Sequence, residues 1–318
     1  MSADYWPTMK SVNPARVRSL HRALFTWYRR HRRELQWRTT SDPYEILVSE
    51  IMLHQTQVSR VRVKLPSFLK QFPDIAALAC APKSDVIRAW SGMGYNNRAV
   101  RLHQLGQILQ EKYGGMIPET TDELLKLPGV GLYTAMAVQC FAFRRRVPIV
   151  DVNISRVLSR LFRISDGTNT VGRESEIWQL ATRILPRSAY TWNQALMDLG
   201  ATVCLARSPK CTVCPLREHC PTKNLLGQAM TRTNRRANVE PVHGGIPRRI
   251  WRGRIIHALR GLDGYESMTM RRLARTLRRR CSGSENAWLL GVLRGLEKDG
   301  LISIGEVGPS VRVRLARE

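Results

Sequence analysis

Apolar residues recur at helical spacing through most of the chain, and strict apolar–polar alternation is missing until near its end. Val17, Leu20, Leu24, Phe25 and Tyr28 mark one face of a basic segment from Asn13 to Trp37, with Arg and His between them. A second helical segment spans Asp42 to Val58, where Ser41 or Asp42 can cap the start and Pro43 sits just inside. Helical spacing continues over residues 61–71, 74–81, 84–90 and 97–112. Residues 121–127 and 132–143 form the next pair, joined by a very short Gly-rich turn, and 152–162, 173–185 and 191–204 extend the series. Residues 1–225 therefore predict an all-α body.

Residues 226–248 break the pattern. They are polar, Arg-rich and punctuated by Gly244-Gly245, which predicts a linker. Residues 249–318 predict a separate small domain of winged-helix-like order. Helical spacing at 255–262, 269–279 and 285–298 is followed by β-like segments at 301–304 and 311–315 around Gly305, Gly308 and Pro309. The third helix would be the reading helix of such a domain, yet Trp288, Leu289, Leu290 and Leu293 assign much of it to a core. Nucleic-acid contact, protein docking and a structural add-on are all open from these residues alone.

Composition adds a partner class. Fifty-one Lys and Arg against 25 Asp and Glu give a net charge of +26 over 318 residues, which points to a polyanion, most commonly nucleic acid. An anionic membrane surface or a preference for Arg codons would give the same balance. With 43% hydrophobic residues the chain can fill real cores. Its longest apolar runs, such as 134–143, fall well short of a bilayer span, and the first residues lack a signal peptide's apolar stretch. The expectation is a cytoplasmic monomer without membrane attachment.

Seven cysteines divide into two groups. Cys80, Cys140 and Cys281 are isolated and read as ordinary thiols. Cys204, Cys211, Cys214 and Cys220 form a C-x6-C-x2-C-x5-C set. A reducing compartment and a metal site explain that cluster better than disulfides do. Four thiolates suit tetrahedral zinc or an iron–sulfur cluster, and spacing alone favours neither.

Leu127-Pro128-Gly129-Val130-Gly131 lies between two helical segments. Pro128 ends the first helix, and the glycines permit backbone angles that a side chain would resist. Val130 can anchor the turn in the core. The two glycines also let a phosphate approach the N–H groups that open the next helix. This is the helix–hairpin–helix pattern of sequence-independent backbone binding; a plain tight turn between helices is its alternative.

Four segments then occur in one order: Trp37-Arg38-Thr39-Thr40-Ser41-Asp42-Pro43-Tyr44, Ser49-Glu50-Ile51-Met52-Leu53-His54-Gln55-Thr56-Gln57, Leu127-Pro128-Gly129-Val130-Gly131-Leu132-Tyr133-Thr134, and Val150-Asp151-Val152-Asn153. Together they resemble the helix–hairpin–helix–GPD superfamily of DNA glycosylases, and within it the adenine DNA glycosylase (MutY-like) branch. The resemblance covers about residues 20–225.

It implies an all-α, two-lobed body with the active site in the cleft between the lobes. The expected lobes are a six-helix lobe of about 38–148 and a cluster lobe formed by about 1–37 and 149–225. Asp151 resembles the family's catalytic aspartate. A carboxylate suits that work, because breaking an N-glycosidic bond leaves positive charge on the sugar. Asp151 also stands where a helix N-cap would. Glu50 resembles the acid of the adenine branch, which protonates the purine at N7 so that it leaves as a better leaving group. That role needs a carboxyl whose pKa is raised by burial and by Asp151. A surface or helix-pairing glutamate is the bland reading.

In relatives that also cut the backbone, a lysine follows the second glycine by two positions, where this sequence has Tyr133. With no amine there, no Schiff base forms, and the expectation is base removal without efficient strand cleavage. Trp37 and Arg38 resemble pocket residues that hold a flipped base. Gln55 resembles the wedge that fills the vacated stack, and Asn193 and Gln194 resemble base-edge contacts. Simple packing is the alternative for each. The cysteine spacing resembles the superfamily's [4Fe–4S] ligand set, with Arg207, Lys210 and Arg217 offering positive charge to phosphates.

Three departures bear on the substrate. His54-Gln55-Thr56 stands for the branch's Gln-Gln-Thr, and Gly94-Tyr95-Asn96 for its Gly-Tyr-Tyr. Residues 249–318 are also too short and too helical for the Nudix-like domain that adenine glycosylases use to recognise 8-oxoguanine. The expected partner is double-stranded DNA holding a mismatched or damaged base, and the expected leaving base is adenine opposite 8-oxoguanine or guanine. Thymine or uracil opposite guanine is the alternative, then hypoxanthine or another damaged base. A non-catalytic DNA-binding protein is the reading from a different class, which Glu50 and Asp151 oppose.

Overall fold

Helices begin where short polar side chains can receive their first N–H groups. The computed structural model of the protein describes residues 12–164, 170–223, 240–263, 266–277, 283–307 and 310–317. In chain order the helices are α1 (Pro14–His31), α2 (Pro43–Leu53), α3 (Val58–Gln71), α4 (Ile75–Cys80), α5 (Lys83–Ala89), α6 (Asn97–Tyr113) and α7 (Thr121–Leu124). They continue as α8 (Leu132–Phe141), α9 (Val152–Phe162), α10 (Thr170–Arg183), α11 (Ala189–Thr202), α12 (Arg248–Arg260), α13 (Met270–Thr276) and α14 (Gly283–Lys298). Asn13 Oδ1 receives the N–H groups of Ala15 and Arg16 at the head of α1. Asp42 Oδ1 receives Tyr44 N–H at 2.7 Å at the head of α2. At the head of α7, Thr120 Oγ1 accepts Glu123 N–H at 3.3 Å and donates to Glu123 Oε2 at 2.6 Å.

Of the stretch read as linker, residues 226–239 lie outside the described residues, as do Cys281, Gly308 and Pro309. Residues 240–248 correct that expectation. β1 (Val242–His243) and β2 (Ile246–Pro247) pair antiparallel as a hairpin, and α12 begins at Arg248. Gly244 and Gly245, at φ 56° and 75°, supply the two left-handed residues that a two-residue hairpin turn demands.

The chain falls into two compact units, Met1–Ile46 with Gly131–Arg232 and Leu47–Val130 with Thr233–Glu318. In the first unit α1, α8 and α9 pack on α11, burying Leu20, Leu24, Leu158, Trp192 and Leu199. The contact between α9 and α11 is close: a Cβ on Gly200 would lie 2.7 Å from Asn153 Cβ. The expected helix to Trp37 instead ends at His31, because Asp198 Oδ2 accepts the backbone N–H of Arg33 at 3.0 Å. Gln36–Arg38 then forms a short 3₁₀ turn.

In the second unit α4, α5 and α6 pack together. Its C-terminal part sets α12, α13 and α14 against a three-stranded antiparallel sheet of order β3 (Met268–Thr269), β5 (Ser310–Leu315), β4 (Ile302–Val307). Ile302 faces Leu315, and Val313 is flanked by Ile304 and Met268. Helix, strand, helix, helix, strand, strand is the winged-helix order; β3 is too short to alternate visibly in sequence. Trp251, Ile255, Leu259, Leu273, Leu293 and Val313 form its core. Hydrogen bonds tie this part to the helices of residues 47–130. Lys83 N donates to Arg317 O at 3.1 Å, and Arg88 Nη2 to Leu262 O at 3.0 Å. Arg260 reaches Ile87 O and Asn96 Oδ1, each at 3.0 Å, and burial pulls its guanidinium down to about 10. Among the described residues, no helix is long and apolar enough to cross a membrane.

Candidate active site

Asp151 is the N-cap of α9. Its Oδ1 accepts from Asn153 N at 3.0 Å and Ile154 N at 2.7 Å, and its Oδ2 accepts from Asn153 Nδ2 at 2.8 Å. Three donors and the positive end of α9 hold the carboxylate in a fixed orientation while it stays partly exposed. Arg156 steadies the neighbour, donating to Asn153 Oδ1 at 2.8 Å and Gly200 O at 2.7 Å. Tyr133, on the first turn of α8, is half-buried in the same unit.

Glu50 lies in the second unit, in the interior of α2, and is 3% exposed among Val48, Ser49, Ile51 and Met52. α2 stops at Leu53, short of the expected Val58, and the reason is Arg98. That buried side chain gives Nη1 to Ile51 O, Met52 O and His54 O at 2.6–3.0 Å, closing the helix's last carbonyls. Its Nη2 reaches Thr56 Oγ1, Met93 O and Gly94 O at 2.9–3.2 Å. One guanidinium thus fastens the turn carrying Gln55 to the turn carrying Tyr95. Burial draws Arg98 down to about 10. Gln55 and Tyr95 are exposed and sit at φ 56° and 44°, a region side chains enter at a cost.

The expected base-pocket residues of the first unit divide differently. Trp37 is 8% exposed. Arg38 is spent on Asp198, donating Nη1 to Oδ2 at 2.9 Å and Nη2 to Oδ1 at 2.8 Å. Arg33 Nε adds a third bond at 2.6 Å. Burial pushes the Asp198 carboxyl up, but the hydrogen bonds and charges of Arg38 and Arg33 outweigh it and hold it below the ordinary range. Asn193, 1% exposed, is likewise spent. Its Oδ1 accepts from Ile149 N at 3.3 Å, and its Nδ2 donates to Val147 O at 3.0 Å. The Nη atoms of Arg38 and the side-chain amide of Asn193 are thus engaged inside the fold. Asn193 pins the strand-like segment that leads into Asp151. Gln194 is buried at 4% exposed.

At the hairpin, Gly129 takes φ 82°, and a Cβ there would press on Arg101 Cβ at 3.3 Å. Val130 is buried, as an anchor should be. Gly131 opens α8 with no side-chain cap and no acidic residue in the first turn, and nothing lies within 4 Å of the Cβ it lacks.

Around the cysteines, short 3₁₀ turns at Cys211–Val213 and Arg217–His219 wind the chain back on itself. Arg160 of α9 organises the segment. It donates to Cys204 Sγ at 3.2 Å, Leu205 O at 2.8 Å and Ala206 O at 2.9 Å, and its own carbonyl accepts from Thr222 Oγ1 at 3.3 Å. Burial, and then the charges of the other three thiols, push Cys214 up to about 11. Four thiols near enough to oppose one another's ionisation need a cationic centre to ionise together. Four thiols in one short segment, with no carboxylate or imidazole needed to complete the set, are a donor set that fits an iron–sulfur cluster.

Residues 48–182 match the HhH-GPD superfamily of base excision DNA repair proteins. The chain is 42% identical over 200 residues to an adenine DNA glycosylase of Mycolicibacterium smegmatis, covering 62% of this chain and 67% of that protein. The chain belongs to the HhH-GPD superfamily. An adenine DNA glycosylase of Mycobacterium tuberculosis is 43% identical over 198 residues, 61% of this chain and 64% of its own length. The sequence therefore falls with the adenine glycosylase branch, while spanning about two thirds of those relatives. A solved thermostable thymine-DNA glycosylase superposes with a TM-score of 0.61 at 32% identity, over 66% of this chain and 97% of its own. Residues 204–220 match the iron–sulfur binding domain of endonuclease III. The cofactor of this HhH-GPD protein is a [4Fe–4S] cluster.

Arg98, Asp198 and Arg160 are the residues that sequence reasoning missed. Asp198 lay inside a motif-bearing segment, where a carboxylate in an apolar helix was the available signal. The two arginines carried none in a chain with so many.

Proposed function

We propose that this protein is a monofunctional DNA N-glycosylase that removes adenine mispaired with 8-oxoguanine or guanine in base excision repair, acting as a monomer on duplex DNA. The carboxylate pair carries the reading: Asp151 oriented by three donors at the head of α9, and Glu50 buried in α2. Glu50 gives its proton to N7 of the extruded adenine. The glycosidic electron pair leaves with the base, and Asp151 stabilises the cationic sugar until water adds at C1′ and loses a proton. The product is an abasic site. Tyr133 offers no amine for a Schiff base, so the strand stays intact.

Gly129, Val130 and Gly131 hold a phosphate of the same strand, and Gln55, exposed at its turn, enters the vacated stack. Trp37 and Gln194 shape the base pocket, while Arg38 and Asn193 act on it by positioning. Cys204, Cys211, Cys214 and Cys220 would hold the [4Fe–4S] cluster, which supplies a fixed charged centre for the loop bearing Arg207, Lys210 and Arg217. Thymine or uracil opposite guanine is a second reading, favoured by the likeness to the thymine-DNA glycosylase.

The test uses duplexes with A opposite 8-oxoguanine, A·G, T·G, U·G or hypoxanthine, followed by alkali to reveal abasic sites. Adenine release that Asp151→Asn and Glu50→Gln both abolish is the expected result. Release of thymine or uracil alone would move the protein to the pyrimidine branch and remove the N7 step. Trapping with borohydride should capture no covalent complex.

A further inference from the structure

A groove of about 1180 Å³ opens in the second unit between the turns carrying Gln55 and Tyr95 and the face of α12. Arg60, Arg249, Arg252, Arg254 and His257 line it, and Asp299 is the one carboxylate among the lining residues. Asp299 is paired with Arg252, and Glu240 beside the groove is paired with Arg249, so the local acids are neutralised. Arg60, Arg254 and His257 are exposed. Arg254 stacks on Trp251 with 4.9 Å from guanidinium carbon to ring centroid, which steadies a long cationic side chain.

Two further features give the groove a direction. Gln55 and Tyr95 stand on its rim, both in left-handed backbone, with Tyr95 58% exposed. An exposed aromatic ring beside a row of arginines is the pairing that takes up a nucleic-acid backbone and a base face together. The wall opposite is fixed in place, because Arg260 of α12 holds Asn96 Oδ1 and Ile87 O. Of the groove's described lining residues, only Leu296 belongs to α14. Its Leu289, Val292, Leu293 and Leu296 are buried, and Arg248 of α12 lies along its glycine side, donating to Gly291 O at 3.1 Å.

We propose that this groove is a second DNA-backbone site: α12, rather than α14, extends the duplex footprint of the protein, with Arg60 and Arg254 on phosphates. The proposal rests on the protein being a DNA-binding repair enzyme, and not on which base it removes.

The experiment is equilibrium binding of the full, cluster-loaded chain to an undamaged duplex between 50 and 300 mM salt, read by fluorescence anisotropy. Arg60→Ala and Arg254→Ala should each weaken binding on every duplex sequence and make the slope of log K against log salt shallower by about one. Arg254→Lys should keep the slope, since a point charge suffices for a phosphate. Arg271→Ala is the charge-matched control; Arg271 is exposed on α13 and absent from the groove lining. Equal melting temperatures would show that each variant folds. If the double variant changes affinity and slope no more than Arg271→Ala does, the site is wrong. An unchanged duplex affinity alongside lost binding of an acidic protein would overturn it equally. Neither result depends on base release, so failure of the excision reading would show separately.

Discussion

The Asp151 carboxylate receives the first N–H groups of α9, and an asparagine oxygen can receive them nearly as well. Asp151→Asn should therefore leave denaturant stability within a few tenths of a kcal/mol, whereas Asp151→Ala should lose about 1 kcal/mol with the cap. Base release should fall by roughly 10² or more in both, because neither keeps the negative charge. If Asn and Ala variants were equally destabilised, the cap would not be what holds the residue. Asp198 is the opposite case, a carboxylate with no role toward solvent. It is fully buried and serves Arg33 and Arg38 together. Asp198→Asn leaves two cationic side chains facing a neutral amide, and breaking a buried pair of this kind costs about 3–5 kcal/mol. Urea unfolding should show the loss as a lower midpoint at unchanged slope. A loss under about 1 kcal/mol would mean that water reaches the pair.

On α6, His103 is 1% exposed and makes one hydrogen bond, from Nε2 to Ala81 O at 2.8 Å. Burial, and the charge of Lys83 nearby, hold its pKa below the ordinary 6.5, against the pull of that hydrogen bond. His54, after α2, is lowered by burial and by Arg98. The unfolded chain therefore takes up protons near pH 6.5 that the folded chain still refuses. Their contribution is intact above that pH and is lost as pH falls, by up to about 1.4 kcal/mol per unit for a group such as His103. Melting temperatures between pH 7.5 and 5.5 should drop, and His103→Gln, which keeps the donor, should flatten the drop. Elements themselves were largely legible: the apolar spacing placed α3 to α11 within a few residues of where they lie. The ends of α1 and α2 were not, because Asp198 and Arg98 stop them from 165 and 47 residues away. Asp151 could be read as a cap because its partners follow within three residues. The roles of Arg38 and Asn193 could not, since pocket contact and internal anchoring look alike in sequence.

At the scale of the molecule, a net charge of +26 must be held together as well as directed at a partner, and the cysteine segment shows how local that holding is. Cys204 to Cys220 belong wholly to the first unit, tied to α9 through Arg160 and Arg156. The turns between them are two 3₁₀ segments with little apolar burial beyond Leu216. Ordering such a stretch costs about 1–2 kcal/mol per residue of backbone entropy, which those few hydrogen bonds do not offset. Metal–thiolate bonding is the remaining source of order. Removing the iron with oxidant and chelator should therefore strip hydrogen-exchange protection from residues 204–223 and from the adjoining ends of α9 and α11. The helices α3 to α6 and α12 to α14, whose cores share no residue with that segment, should keep theirs. Duplex binding should weaken and its salt slope become shallower as the loop carrying Arg207, Lys210 and Arg217 loses its shape and its phosphate contacts. Exchange that rises evenly across both units would show instead that the cluster supports the whole fold. No rise at all would mean that the hydrogen bonds of Arg160 suffice to order the loop.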